Sequence, residues 1–380
     1  MPKPVIPIRD ARLMRHTKVV FADIGAFRWA RRAVRYVAGI HDYMADVRPK
    51  PDGELRFHPR QFESRIRFAK AVVLAFAPDD PVDPTITFAD LHPSDPLYRF
   101  ANVTVKRGWL RTRANGRFDV SGAVRMVDVH RALVLALGLQ PAADALDALH
   151  TTRGHTFDTP RDFGTTLLGM RLHLRYNNWT DEALDVGPLT PLNRAQVAYS
   201  LFRALTEPPR AVPRLLKEYS TITLPALTPQ VTRLVEWGIR FVGYPYVWGG
   251  EWGKAAPEPQ TLGGQPIPGF DCSGFTWWLL RENNPSDGWR VAPPRPYHGW
   301  SLPQRTSREM GAIGNLWWAQ LRPGDIALYR EEGRIGHVDV YIGNGFALDS
   351  SSSPAGVTIM WIGGGWYRGH FVHGRRIIAA

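Results

Sequence analysis

The 380-residue chain is 44% apolar and 22% charged and carries a formal net charge of +12. This composition excludes an unfolded chain, and the length allows two or three domains with cores of their own. No run of about eighteen apolar residues occurs, which excludes a membrane-spanning helix, and the single cysteine excludes an intrachain disulfide or a Cys-rich zinc site.

Residues 1–19 form a basic tail without the apolar stretch of a secretory signal. From 20 to 206 the sequence reads as a degenerate threefold repeat, with units at about 20–80, 86–140 and 155–206. Phe21-Ala22-Asp23-Ile24 and Phe88-Ala89-Asp90-Leu91 open the first two units, and Asp162-Phe163-Gly164 opens the third more weakly. Each unit closes on a run with apolar residues three or four apart, which predicts a helix packed on one face. An arginine precedes each closing run: Arg65, Arg125 and Arg194. Residues 207–227 are proline-rich and lack periodicity, which predicts a semi-rigid linker or a segment draped over a domain surface. At 228 a new domain begins, where Thr228-Pro229 offers an N-cap followed by proline at the first helical position. Val231, Leu234, Val235, Ile239 and Val242 then share one helical face.

The chemistry concentrates in this last domain, 228–380. Gly269-Phe270-Asp271-Cys272-Ser273-Gly274 precedes a run of good helix formers, which places Cys272 at a helix N-terminus. Unpaired N–H groups and the helix dipole there favour a thiolate and could donate to an oxyanion. Asp271 is equally suited to cap that helix. A nucleophilic thiol needs a base, and His337 supplies the candidate. It lies in a strand-like run in which Val338, Val340 and Ile342 alternate with His337, Asp339 and Tyr341. Asn344-Gly345 predicts a hairpin turn into Phe346-Ala347-Leu348-Asp349, which could bring Asp349 to the imidazole. Asp339, on the same strand face as His337, is a rival orienting group. No metal-ligand cluster, phosphate-cradling glycine loop or cofactor motif is found.

Tyr244-Pro245-Tyr246-Val247-Trp248-Gly249-Gly250, Phe270-Asp271-Cys272-Ser273-Gly274, Leu321-Arg322-Pro323-Gly324-Asp325 and Gly336-His337-Val338-x-Val340-Tyr341-Ile342-Gly343 follow in that order. Together they resemble the NlpC-type peptidases of bacterial cell walls. The resemblance implies an α+β, papain-like C-terminal domain with helices packed on an antiparallel sheet, behind a mostly helical N-terminal repeat domain. It implies a cysteine endopeptidase of peptidoglycan stem peptides, acting at the γ-D-glutamyl–diamino acid bond, with Cys272 attacking and His337 as base. Tyr246 falls on a substrate-facing position; Asp271 and Ser273 fall where members recognise the terminal amine; Trp248 is either cleft lining or core. The third catalytic position is often His in that family and is Asp349 here. Asp339 stands where a small residue is usual. Arg305-Thr306-Ser307 resembles a segment beside the site, with Met310 where glutamine is common. A long connection from Gly250 to Asp271, with Pro257, Pro259, Gly263, Gly264, Pro266 and Pro268, is expected to rim the cleft.

The N-terminal units resemble S-layer homology repeats, on Phe57-His58-Pro59 and Leu192-Asn193-Arg194-Ala195-Gln196. That likeness implies attachment to an anionic secondary wall polymer, with Arg65, Arg125 and Arg194 contributing charge. Lysine and arginine are spread without a dense cluster, so nucleic acid is not expected as a partner. A wall enzyme without a visible leader is expected to act outside the cell by another export route or as a phage lysin. Two alternatives stay open: a wall-binding scaffold with an inactive domain, and a papain-like amidase or acyltransferase.

Overall fold

The computed structural model describes residue 10 and residues 19–45, 53–178, 185–252, 269–281, 300–354 and 356–378. Most of the Gly250–Asp271 connection, with its prolines, lies outside the described residues. In chain order the helices that matter here are α1 (Arg65–Phe76), α2 (Tyr98–Lys106), α3 (Met126–Ala136), α4 (Gln140–Asp147), α5 (Phe163–Arg171) and α6 (Arg194–Leu205). They are followed by α7 (Ala211–Tyr219), α8 (Pro229–Gly238), α9 (Cys272–Leu280), α10 (Ser307–Met310) and α11 (Gly365–His370). The strands of the five-stranded sheet are β1 (Ile326–Glu331), β2 (Arg334–Gly343), β3 (Phe346–Ser351), β4 (Gly356–Trp361) and β5 (Phe371–Arg375). Among the described residues no helix is long and apolar enough to cross a membrane.

The chain divides into two compact units. One comprises Met1–Pro141, Arg171–Tyr176 and Pro188–Leu216; the other comprises Ala142–Met170, Asn177–Gly187 and Lys217–Ala380. The stretch expected as a third repeat, 155–206, is therefore shared between the two.

The first unit is built around a threefold ring of backbone hydrogen bonds just ahead of α1, α3 and α6. Glu63 N donates to Leu192 O at 3.0 Å, Leu192 N to Val124 O at 2.9 Å, and Val124 N to Glu63 O at 2.9 Å. A second ring follows: Arg65 N to Gly122 O, Met126 N to Thr190 O, and Arg194 N to Gln61 O. Backbone groups that would otherwise be orphaned at three converging helix starts thus satisfy one another. The rings make Arg65, Met126 and Arg194 equivalent, so Arg125 stands one residue early. The two Phe-Ala-Asp openings perform one job twice. Asp23 accepts from Phe57 N and His58 N at 2.8 and 2.7 Å, and Asp90 accepts from Phe118 N and Asp119 N at 2.7 and 2.8 Å. Arg194 Nε then donates to Phe57 O, and Arg65 Nε to Phe118 O, both at 2.9 Å.

Within residues 207–227, expected as a semi-rigid linker or a draped segment, Ala211–Tyr219 forms α7. Pro213 is the third residue of α7, within the first turn, where a missing N–H breaks no intrahelical bond.

The second unit is α+β. Its antiparallel sheet has the order β4-β3-β2-β1-β5. The β2–β3 turn falls on Asn344 and Gly345, with φ of 51° and 80°. Positive φ at both central residues marks the tight hairpin that matches strand twist, and Asn-Gly is the pair that tolerates it. Val338, Val340 and Ile342 are fully buried along β2. Helix α9 packs on β2 and β3, and Thr228 caps α8, with Pro229 in its first turn.

Candidate active site

Asp271 sets the head of α9. Its backbone is extended (φ −82°, ψ 178°), its Oδ1 accepts from Gly274 N, and its Oδ2 accepts from Gly249 N at 3.1 Å. The helix therefore starts at Cys272. Gly274 is required by close approach: a Cβ there would lie 1.9 Å from Gly250 O. Ser273 Oγ donates to Asp271 Oδ1 at 3.2 Å. Arg305 ties the turn together, donating to Asp271 Oδ1 at 3.3 Å, Ser273 Oγ at 3.0 Å, Gly249 O at 3.1 Å and Gly250 O at 3.3 Å. Arg305 is itself held by the α10 start, where Thr306 and Glu309 form a reciprocal capping box and Met310 is buried.

Cys272 is 7% exposed, and its Sγ lies 3.8 Å from Gly336 O, next to His337. His337 is 6% exposed, with Nε2 3.1 Å from Asp349 Oδ1 on the neighbouring strand. Burial alone would lower the imidazole pKa. The charge of Asp349 and its close contact, together with Cys272, more than reverse this and hold it well above the usual 6.5. Asp349 Oδ2 accepts from Tyr367 Oη at 2.7 Å. Asp339, the rival for His337, instead accepts from Tyr329 Oη at 2.8 Å. Burial and the neighbouring Asp349 charge push its carboxyl well above the carboxylate range, against the opposing effects of His337 and Tyr329. Around the imidazole, the rings of Tyr329, Trp366 and Tyr367 lie 5.6, 5.9 and 5.9 Å away.

The structure thus brings Cys272, His337 and Asp349 together and sets Asp339 aside. Tyr246 is buried, bridging to Phe270, and Trp248 is 73% exposed rather than part of a core. Asp271 and Ser273 are taken up in the α9 cap and the Arg305 ties. Sequence reading missed Tyr329, Trp366 and Tyr367. Tyr329 ends the run of four buried residues that opens β1, Ile326 to Tyr329, and was open to strand-pattern reasoning, but the Gly-Trp-Tyr segment of α11 reaches the site only through the assembled sheet.

In the first unit, Arg65 and Arg194 are buried. Arg65 is engaged by Phe118 O, Arg111 O and Asp128, and Arg194 by Phe57 O and Glu63, so neither offers its charge to a polymer. Arg125 is exposed.

A helix-borne cysteine packed against an antiparallel sheet that carries histidine and aspartate defines a papain-like domain. Residues 243–376 match the NlpC/P60 family, and the C-terminal part of the chain is an NlpC/P60 domain. Over 142 residues the chain is 28% identical to the bifunctional muramidase/DL-endopeptidase CwlT of Bacillus subtilis (strain 168), covering 37% of this chain and 34% of that protein. It is also 28% identical over 142 residues to the murein DD-endopeptidase MepH of Escherichia coli (strain K12), covering 36% of this chain and 42% of that protein. A solved NlpC/P60 family protein from Bacillus cereus ATCC 10987 is 26% identical over 40% of this chain and 41% of its own, with a TM-score of 0.28. The chain spans less than half the length of each of these relatives.

Proposed function

We propose that this chain is a cysteine endopeptidase of peptidoglycan stem peptides. The reading is carried by the 3.1 Å approach of Asp349 to His337, with Cys272 at the head of α9 placing its Sγ 3.8 Å from Gly336 O, next to that histidine. In this reading the Cys272 thiolate attacks the scissile carbonyl carbon. The first-turn N–H groups of Cys272 and Ser273, which the helix ladder leaves unused, receive the oxyanion. His337 passes its proton to the leaving amine, and a thioester to Cys272 remains. His337 then takes a proton from water, which attacks the thioester, releases the acid and restores the thiolate. Asp349 orients the imidazole and steadies its charged form throughout. Asp271 and Ser273 serve mainly through the α9 cap, while Tyr246 and Trp248 line the approach to the thiol.

The bond assigned is the γ-D-glutamyl–diamino acid linkage. Incubating a synthetic L-Ala-γ-D-Glu-diamino acid-D-Ala peptide with wild type and Cys272→Ala tests this, with product masses naming the cut. Two fragments from the wild type alone support the reading; an intact peptide in both overturns that choice of bond.

Wall attachment by the first unit is proposed on the +12 charge and the exposed Arg125, with Arg65 and Arg194 as internal ties. Full-length Cys272→Ala should sediment with purified walls at low salt and be released as salt screens the contact. Failure to sediment at low salt would remove that part of the proposal.

A further inference from the structure

Asp339 and Asp349 are both fully buried, on neighbouring strands, and each accepts one tyrosine hydroxyl. Tyr329 reaches Asp339 from β1, and Tyr367 reaches Asp349 from α11. The geometry points to Tyr367 as a positioning residue that keeps the negative charge of these two acids on Asp349, where it meets His337.

The charge of Asp349 opposes ionisation of the buried Asp339 on the neighbouring strand. Each tyrosine donor favours the ionised form of its own acid. Tyr367 Oη lies 2.7 Å from Asp349 Oδ2 and leaves Oδ1 to His337 Nε2 at 3.1 Å, so both oxygens of Asp349 meet a polar partner. Asp339 Oδ1 and Asp349 Oδ1 alike lack a hydrogen-bond partner among the described residues, but Asp349 Oδ1 lies within ion-pair distance, 3.1 Å, of the imidazole Nε2. The imidazole charge beside Asp349 Oδ1 offsets part of the cost of burying an ionised carboxylate there. The groups facing the pair are His337 from β2, Tyr329 from β1, Tyr367 from α11 and Thr358, the cross-strand partner of Asp349 on β4. The high carboxyl pKa of Asp339 agrees with this placement of the charge. Without the Tyr367 hydroxyl, Tyr329 remains to stabilise an ionised Asp339. The charge then moves away from His337, and the imidazole loses its orienting partner.

This inference rests on the Cys272–His337–Asp349 reading, and its test separates the two. kcat and KM on a stem peptide would be measured for wild type, Tyr367→Phe, Asp339→Asn, the double variant and His337→Ala. Tyr367→Phe should lower kcat on the order of tenfold with KM little changed, the size expected for losing a hydrogen bond to a charged group. Asn at 339 cannot take the charge, so Asp339→Asn added to Tyr367→Phe should restore kcat to within about threefold of wild type. An unchanged kcat in Tyr367→Phe, or a double variant as impaired as the single, overturns the inference. Wild-type kcat in His337→Ala would instead overturn the reading beneath it. Tyr367→Gln, which keeps a donor, and Tyr367→Leu, which does not, are the second pair should Phe prevent folding; equal losses in both would contradict the inference.

Discussion

Asp339 and Asp349 look interchangeable in the sequence, each two strand positions or one hairpin away from serving His337. Distance separates them: Asp349 meets Nε2 at 3.1 Å, while Asp339 is engaged by Tyr329. Asp349→Asn should therefore lower kcat/KM by roughly a hundredfold to ten-thousandfold, the range for losing the orienting carboxylate of a triad. Asp339→Asn should stay within about threefold, as expected for a group already held neutral. Steady-state kinetics on one peptide checks both. The raised pKa of His337 also has a sign in stability. The folded chain holds this proton more tightly than the unfolded one, so the stabilisation is fully present below pH 6.5 and is lost as pH rises through the raised value. The melting-temperature gap between Cys272→Ala and Cys272→Ala/His337→Gln should thus narrow as pH increases through that range. Cys272, His337 and Asp349 were legible because each sits in a local pattern: a helix start, an alternating strand, an Asn-Gly hairpin. Tyr367 was not, since only the assembled sheet brings α11 to Asp349. Arg65 and Arg194 were misread because a sequence displays charge and hides burial.

At the scale of elements, the site depends on how α9 begins. Asp271 caps it, Gly274 lets Gly250 O approach, and Arg305 binds both to the preceding turn. Gly274→Ala should cost about 1–3 kcal/mol, because the displaced atom is backbone and the turn must shift as a whole. Urea unfolding measures that cost, and the same displacement should reduce activity by moving Cys272. The hairpin of β2 and β3 was readable from period-two alternation and Asn344-Gly345. Helix α7 was not, because proline content argues for a break. A proline in the first turn interrupts nothing, and apolar spacing is the better guide there.

For the molecule as a whole, the first unit is held by cyclic backbone rings and by buried ties such as Arg194–Glu63, whose side chains are 2% and 1% exposed. Breaking that pair by Glu63→Ala should destabilise the protein by about 3–5 kcal/mol, since the arginine charge would be left buried. Arg125→Ala should stay within about 0.5 kcal/mol, as for an exposed side chain. Comparing the two by chemical denaturation distinguishes structural arginines from available ones. The repeat was visible in the Phe-Ala-Asp openings because Asp23 and Asp90 cap the same turn. Its third copy was harder to delimit, because residues 142–170 and 177–187 pack within the other unit. What the whole protein does is tested most directly on whole peptidoglycan: purified sacculi digested with full-length wild type and with Cys272→Ala, and the soluble fragments weighed by mass spectrometry. Stem-peptide fragments released by the wild type alone are predicted. Identical fragment sets from both proteins would contradict a Cys272-dependent endopeptidase.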